Sequence, residues 1–253
     1  MREAFAVAVL NFKQGLREKL FWGVVFFLVF FLAFSLLLGK LSPGETERVL
    51  RNAGLSGIEL SGIILVVFSL IFSFYREKDS RILEIYLSHF SRTHYIAGKL
   101  LGYLLICFFY LILAGLGYAL ILFLAKAFLW QVLIGLYSLF LKLAILVSLS
   151  LIFACLLSSP VLALLCSLSL YLAGEIAYPV LKIVSLGQDK ANLALFKFLY
   201  YLLPNMHELD LKSQATHGEP PSFNFLFFIS LYSFTYILFL WVIARHIFIR
   251  KEY

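Results

Sequence analysis

The sequence predicts an all-α integral membrane protein with six transmembrane helices and both termini in the cytoplasm. Three observations carry this. The chain of 253 residues is 62% hydrophobic and 14% charged, whereas soluble domains are roughly 45–50% apolar and about 25% charged. Its mean hydropathy is +0.96. Six apolar runs, 20–39, 56–75, 97–125, 129–157, 160–186 and 223–249, each reach the ~20 residues a helix needs to cross the hydrocarbon.

The elements follow in chain order as one transmembrane domain over 1–253. Residues 2–19 precede the first run and place Phe5, Val9, Phe12 and Leu16 at helical spacing, with Lys13, Gln14, Arg17 and Glu18 opposite. That pattern predicts a helix lying in the membrane interface, apolar side down and basic side toward anionic headgroups. The run from 20 is too long for a signal-peptide core and no small-residue cleavage site follows, so it is read as a span. Between 187 and 222, the stretch Asn192 to Leu203 is strongly apolar but only about twelve residues long, which rises roughly 18 Å against a ~30 Å core. It predicts an outer re-entrant helix ended by Pro204, with His217 to Ser222 as a turn before the last span.

Orientation comes from Lys and Arg placement. With both termini inside, Arg2, Lys13, Arg17, Lys19, Arg76, Lys78, Arg81, Arg92, Lys99, Arg245, Arg250 and Lys251 lie on the inner side. Lys40, Arg48, Arg51, Lys126, Lys182, Lys190, Lys197 and Lys212 lie on the outer side. The net charge of +7 is thus a topology signal at span ends and does not call for nucleic acid. Cys107, Cys155 and Cys166 all fall in apolar runs without C-x-x-C spacing, the pattern of inert buried thiols.

Residues 76–96 are the most informative segment. A plain connection between two spans needs a handful of residues, and this one reads REKDSRILEIYLSHFSRTHYI. Glu77, Lys78, Arg81 and Glu84 share helical spacing opposite Ile82, Leu83, Ile85 and Tyr86, which predicts an amphipathic helix with a Glu77–Arg81 pair on its polar face. It breaks near Ser88–Ser91, and a second helix starts around Arg92 and runs into the third span. Exposed pairs of this kind contribute only a few tenths of a kcal/mol, so charge alone does not explain the segment. A surface gripped by another protein does.

Two ionisable residues stand deep in predicted spans. Lys142 lies 15 residues before Leu157 and Glu175 lies 15 residues after Pro160, which sets both roughly 22 Å above the inner boundary. A lone charge at that depth is costly, so the sequence predicts a Lys142–Glu175 pair, either locking two spans or lining a polar path. Pro179 predicts a kink above Glu175. His207, Glu208, Asp210 and His217 cluster on the outer side, but their spacing has no metal geometry behind it, and no metal site is expected.

The segment from Glu77 resembles a pattern of type-2 ABC exporter membrane subunits, E-x-x-x-G-T-L-E-x-x-L-S-x-P followed by S-R and then G-K. Glu77, Leu83, Glu84, Leu87, Ser88, Ser91, Arg92, Gly98 and Lys99 match. Arg81 and Ile82 stand where Gly-Thr is common, and the Pro is missing. Leu203-Pro204-Asn205-Met206 with Leu209-Asp210-Leu211 is similar to the L-P-N motif that precedes the last span in that family. The D-S-R-x-L-E wording at Asp79–Glu84 resembles its multicopper-enzyme-maturation branch.

The resemblance implies a permease subunit in the cytoplasmic (inner) membrane that moves its substrate outward and is not itself an enzyme. It implies a separate cytosolic ATPase that binds ATP and Mg, with no cofactor on this chain, and a second permease subunit as homodimer or heterodimer partner. Glu77, Arg81, Leu83, Glu84, Tyr86, Leu87, Ser91 and Arg92 would form the ATPase-coupling hairpin, and Pro204 and Asn205 the outer re-entrant motif. The sequence agrees in having no G-x-x-x-x-G-K-[ST] phosphate loop. The long apolar spans point to a lipid-like or amphiphilic substrate and a chain surrounded by membrane lipid. Two alternatives fit less well. An intramembrane enzyme needs convergent His, Asp, Glu or Ser at one depth, and an ion-coupled secondary transporter needs repeated halves with broken spans.

Overall fold

The computed structural model describes residues 2–41, 45–185, 196–198, 200–201 and 203–251. Its elements are helices: α1 (Arg2–Arg17), α2 (Lys19–Lys40), α3 (Thr46–Asp79), α4 (Ile82–His89), α5 (Arg92–Leu124), α6 (Gln131–Leu156), α7 (Pro160–Ser185), α8 (Lys212–His217) and α9 (Phe223–Arg250). Among the described residues six of them, α2, α3, α5, α6, α7 and α9, are long and apolar enough to cross a membrane. Half of the short apolar stretch expected to be re-entrant, 192–195, 199 and 202, lies outside the described residues.

Helix α6 is the hub. It packs on α3, α5, α7, α8 and α9, and Leu139, Leu143, Ile145, Leu146, Val147 and Leu151 along it are fully buried. A helix apolar all round belongs in such a place. Helices α2, α7 and α9 are peripheral and turn large side chains outward, among them Phe26, Phe30, Ile183 and Phe234.

Helix α3 is longer than the expected span 56–75 and begins at Thr46. Its first turns carry charged residues, so a hydropathy window ends too early. They pack nonetheless: Leu50 and Leu55 are buried, and so is Arg51, whose guanidinium donates from Nε to the Thr216 carbonyl at 3.1 Å and from Nη1 to the Ala127 carbonyl at 2.9 Å.

A tyrosine ladder joins α5 to α3. Tyr95, Tyr103, Tyr110 and Tyr118 are all fully buried. Their hydroxyls donate in turn to Glu77 Oε2 at 2.5 Å, the Ser69 carbonyl at 3.1 Å, the Ile58 carbonyl at 3.0 Å and the Arg51 carbonyl at 2.7 Å. Partner numbers fall as tyrosine numbers rise, so the two helices run antiparallel with a register fixed at four levels. Polar contacts between spans contribute about 0.6 kcal/mol each on average; four of them set register more than they add stability.

Helix α1 packs along α5 through small residues. Ala4, Val7, Ala8 and Asn11 are buried, and the fit is close enough that a Cβ on Gly98 would lie 2.7 Å from the Ala4 carbonyl oxygen. This face differs from the Phe5–Val9–Phe12–Leu16 stripe expected to face the membrane. Phe5 stays 65% exposed, while Phe12 meets Phe109 edge-on at 6.0 Å. Small side chains won the contact because they let the backbones approach.

Candidate functional site

Two buried polar centres stand at different levels of the bundle. The first lies beneath the α3–α4–α5 hairpin. Helix α3 ends at Asp79, and Arg81 adopts a left-handed backbone (φ 58°) before α4 begins at Ile82. That break separates Glu77 and Lys78 from Arg81 and Glu84, so the expected continuous polar face does not form. Glu77 turns inward and is 3% exposed; the expected Glu77–Arg81 pair is replaced by Glu77–Lys99.

The Lys99 ammonium sits 2.7 Å from Glu77 Oε1, which also accepts from Ser73 Oγ at 3.1 Å, and Tyr95 holds the other carboxylate oxygen. Lys99 lies over the Phe74 and Tyr95 rings at 5.5 and 5.6 Å. A buried ion pair needs further partners for its remaining donors and lone pairs; Ser73 and Tyr95 supply them to Glu77, and the Tyr95 hydroxyl at 3.4 Å supplies one to Lys99.

The hairpin is tied down around this pair. Leu83 is 2% exposed. Tyr86 and Leu87 are half-buried, and the Tyr86 ring lies 5.9 Å from Tyr95, which stacks on Phe248 at 5.5 Å. Burial, with the Glu77 carboxylate adding to it, pushes the Tyr86 phenol up from its ordinary value. Ser91 caps α5, accepting from the His94 amide at 3.3 Å. Arg92 donates to the Ile249 carbonyl at 3.0 Å and the Lys251 carbonyl at 2.9 Å. Lys251 in turn donates to the Cys155 and Leu156 carbonyls at 3.0 and 3.1 Å, placing a cation on the negative end of α6. Arg81 and Glu84 remain exposed, beside Ile82 (42%) and Ile85 (62%).

The second centre lies in the far half of the bundle. Lys142 is fully buried. Its ammonium sits 3.0 Å from Glu59 Oε1 on α3, 3.0 Å from Glu175 Oε2 on α7 and 3.3 Å from Asp210 Oδ2 in the segment before α8. Three N–H donors thus meet three carboxylates. Lys212 pairs with Glu59 and lies 3.3 Å from Asp210. Tyr171 donates to Glu59 Oε1 at 2.7 Å. Burial works against the Asp210 carboxylate, but Lys142 and Lys212 outweigh it and hold the group below its ordinary value. Fully ionised, three carboxylates against two ammoniums leave a formal charge of −1.

Lys142 and Glu175 therefore meet, in a larger group than the expected pair. The view that they are the only deep ionisable residues is corrected by Glu59, whose position four residues into the expected span 56–75 marked it as a partner. Asp210 and Lys212 arrive through tertiary folding. Pro204 is buried, and its carbonyl approaches Gly174 so closely that a Cβ there would lie 2.4 Å away. Asn205 donates its backbone N–H to the Tyr232 hydroxyl at 2.9 Å and its side-chain Nδ2 to the Tyr200 hydroxyl. This turn, with Met206 and Leu209 fully buried, carries Asp210 and Lys212 to Lys142.

Neither centre has the arrangement of an activated nucleophile. Among the described residues no group of three His, Cys, Asp or Glu is placed to hold a metal ion. In the far centre the Lys142 ammonium occupies the point on which the carboxylates converge. His207, once grouped with a possible outer cluster, stacks on Tyr178 at 4.7 Å.

Comparison with curated proteins gives no match. Comparison with protein families gives one over nearly the whole chain: residues 5–251 match the family described as ABC-2 family transporter protein. The chain therefore belongs to the ABC-2 family of transporter proteins, as a multi-pass membrane permease with no catalytic activity of its own, in keeping with the six long apolar helices among the described residues.

Proposed function

We propose that this chain is the permease of an ABC exporter in the cytoplasmic membrane and carries a lipid-like or amphiphilic substrate outward, with both termini and the hairpin in the cytosol. A separate ATPase hydrolyses ATP with Mg and docks on α4, and a second permease subunit completes the pore. The observation that carries this is the split personality of α4. Arg81, Ile82, Glu84 and Ile85 face outward, whereas Leu83, Tyr86 and Leu87 pack inward on the Glu77–Lys99–Tyr95 centre and Arg92 locks to the C-terminal end of α9. A push on the outer face of α4 then reaches α3, α5 and α9 through rigid, desolvated contacts. Glu77 acts in this reading as an anchor of the hairpin and not as a docking residue. The far centre acts as a clasp joining α3, α6, α7 and the Pro204–Asn205 turn. The branch resemblance at Asp79–Glu84 favours a role in multicopper-enzyme maturation.

The docking test follows from exposure. Ile82→Asp and Ile85→Asp should abolish co-purification of a cytosolic ATPase from native membranes while the unfolding temperature stays unchanged. Leu83→Asp would unfold the hairpin and is not a clean test. Retention of the ATPase by the Ile82→Asp/Ile85→Asp double variant rules out docking through α4.

A further inference from the structure

A groove of about 800 Å³ opens where α1 ends, α2 begins and α3 completes its last turns. Its upper wall carries Lys13, Arg17, Lys19 and Arg76, and its lower wall carries Phe68 and Phe72, whose rings lie 5.9 Å apart. Arg76 is already neutralised by Glu18. Lys13, Arg17 and Lys19 are exposed, and among the described residues the side chain of none of the three forms an ion pair or hydrogen bond. Glu18 also makes no side-chain cap on α2, so the first-turn amides of a 22-residue helix add their positive end to the same mouth.

The level of this groove is fixed by composition. Below it α2 and α3 are apolar, and at it charges begin with Glu18, Lys19, Arg76 and Lys78. It therefore stands at the boundary between hydrocarbon and headgroups. We infer that it is a binding site for one anionic phospholipid of the leaflet at the hairpin end: the phosphate is held by Lys13, Arg17 and Lys19, and an acyl chain runs down over Phe68 and Phe72. Charge complementarity selects this occupant. Three uncompensated cations above an aromatic wall match a molecule with a net negative head and an apolar tail, and the cations repel the choline of a zwitterionic lipid. A bound lipid here would bridge α1, α2 and α3 beside the hairpin and so bear on its mobility.

The test uses the full chain. Purified protein is given equal amounts of dioleoyl phosphatidylglycerol and dioleoyl phosphatidylcholine, and retained lipid is counted by native mass spectrometry. Each basic residue near an anionic surface contributes roughly fivefold, so a preference for phosphatidylglycerol of at least about tenfold is expected. The Lys13→Gln/Arg17→Gln/Lys19→Gln variant should bring it to within about twofold at an unchanged unfolding temperature in phosphatidylcholine nanodiscs, while Lys182→Gln should leave it intact. Equal retention of both lipids by the unaltered protein overturns the site, as does a preference that survives the triple variant. Stabilisation by inorganic phosphate as large as that by phosphatidylglycerol overturns the assignment to lipid.

Discussion

Removing the central cation of the far cluster should destabilise the protein more than removing any one of its acids. Lys142 lies 3.0, 3.0 and 3.3 Å from Glu59, Glu175 and Asp210. At about 3 Å and an effective dielectric near 20, each attraction is about 5 kcal/mol gross, much of it offset by desolvation. Lys142→Met keeps the stem volume but changes the count from three carboxylates and two ammoniums to three and one, a formal charge of −2. Glu59, 10% exposed, keeps Lys212 and Tyr171, whereas Glu175, 29% exposed at its side chain, loses the cation it pairs with. The cost is then that of one stranded buried charge, about 3–5 kcal/mol.

Glu59→Gln runs the other way. It leaves two carboxylates and two ammoniums, a neutral set, and should cost less. At about 2–4 °C per kcal/mol for a chain of this size, Lys142→Met should lower the unfolding temperature by roughly 6–20 °C. Tryptophan fluorescence during heating in detergent reads this directly. Lys142→Met/Glu175→Gln should recover part of the loss. An unfolding temperature for Lys142→Met within about 1 °C of the parent, or a smaller drop than for Glu59→Gln, would refute the reasoning.

The same assay addresses two further contacts. Lys99→Met strands Glu77 and should cost about 3–5 kcal/mol, whereas the Glu77→Gln/Lys99→Met double variant should regain most of it; a double variant no better than the single would show that the pair is not the source. Gly174→Ala drives a Cβ to 2.4 Å from the Pro204 carbonyl oxygen and should cost about 1–3 kcal/mol as overpacking, because the obstacle is backbone. Gly23→Ala, with nothing within 4 Å of its added Cβ, should be neutral or stabilising by up to about 1 kcal/mol.

Much of the helical architecture was visible in local pattern. The second helix of the hairpin begins at Arg92 as the sequence predicts, because Ser91 is a strong cap followed by an unbroken helical run. The deep positions of Lys142 and Glu175 made each other necessary, since an isolated charge has few ways to survive there. What failed was inference across a hidden break. Nothing in the residue types at Ser80–Arg81 announces a left-handed turn, so spacing alone put Glu77 on a face with Arg81. The tyrosines at 95, 103, 110 and 118 recur every seven or eight residues, a signal that was present and legible only once α3 supplied four acceptors in register.

The chain's composition determined by itself that it crosses the membrane and nearly where. Run length against bilayer thickness is a local, additive property that a window can sum. Which charge meets which was decided by tertiary structure alone. Glu59, Lys142, Glu175 and Asp210 sit on different elements, and their convergence depends on the helix register set by the tyrosine ladder and on the close approach of Pro204 to Gly174. A buried ion takes whatever partner packing brings within about 3 Å, and that distance is written in no single segment of the sequence.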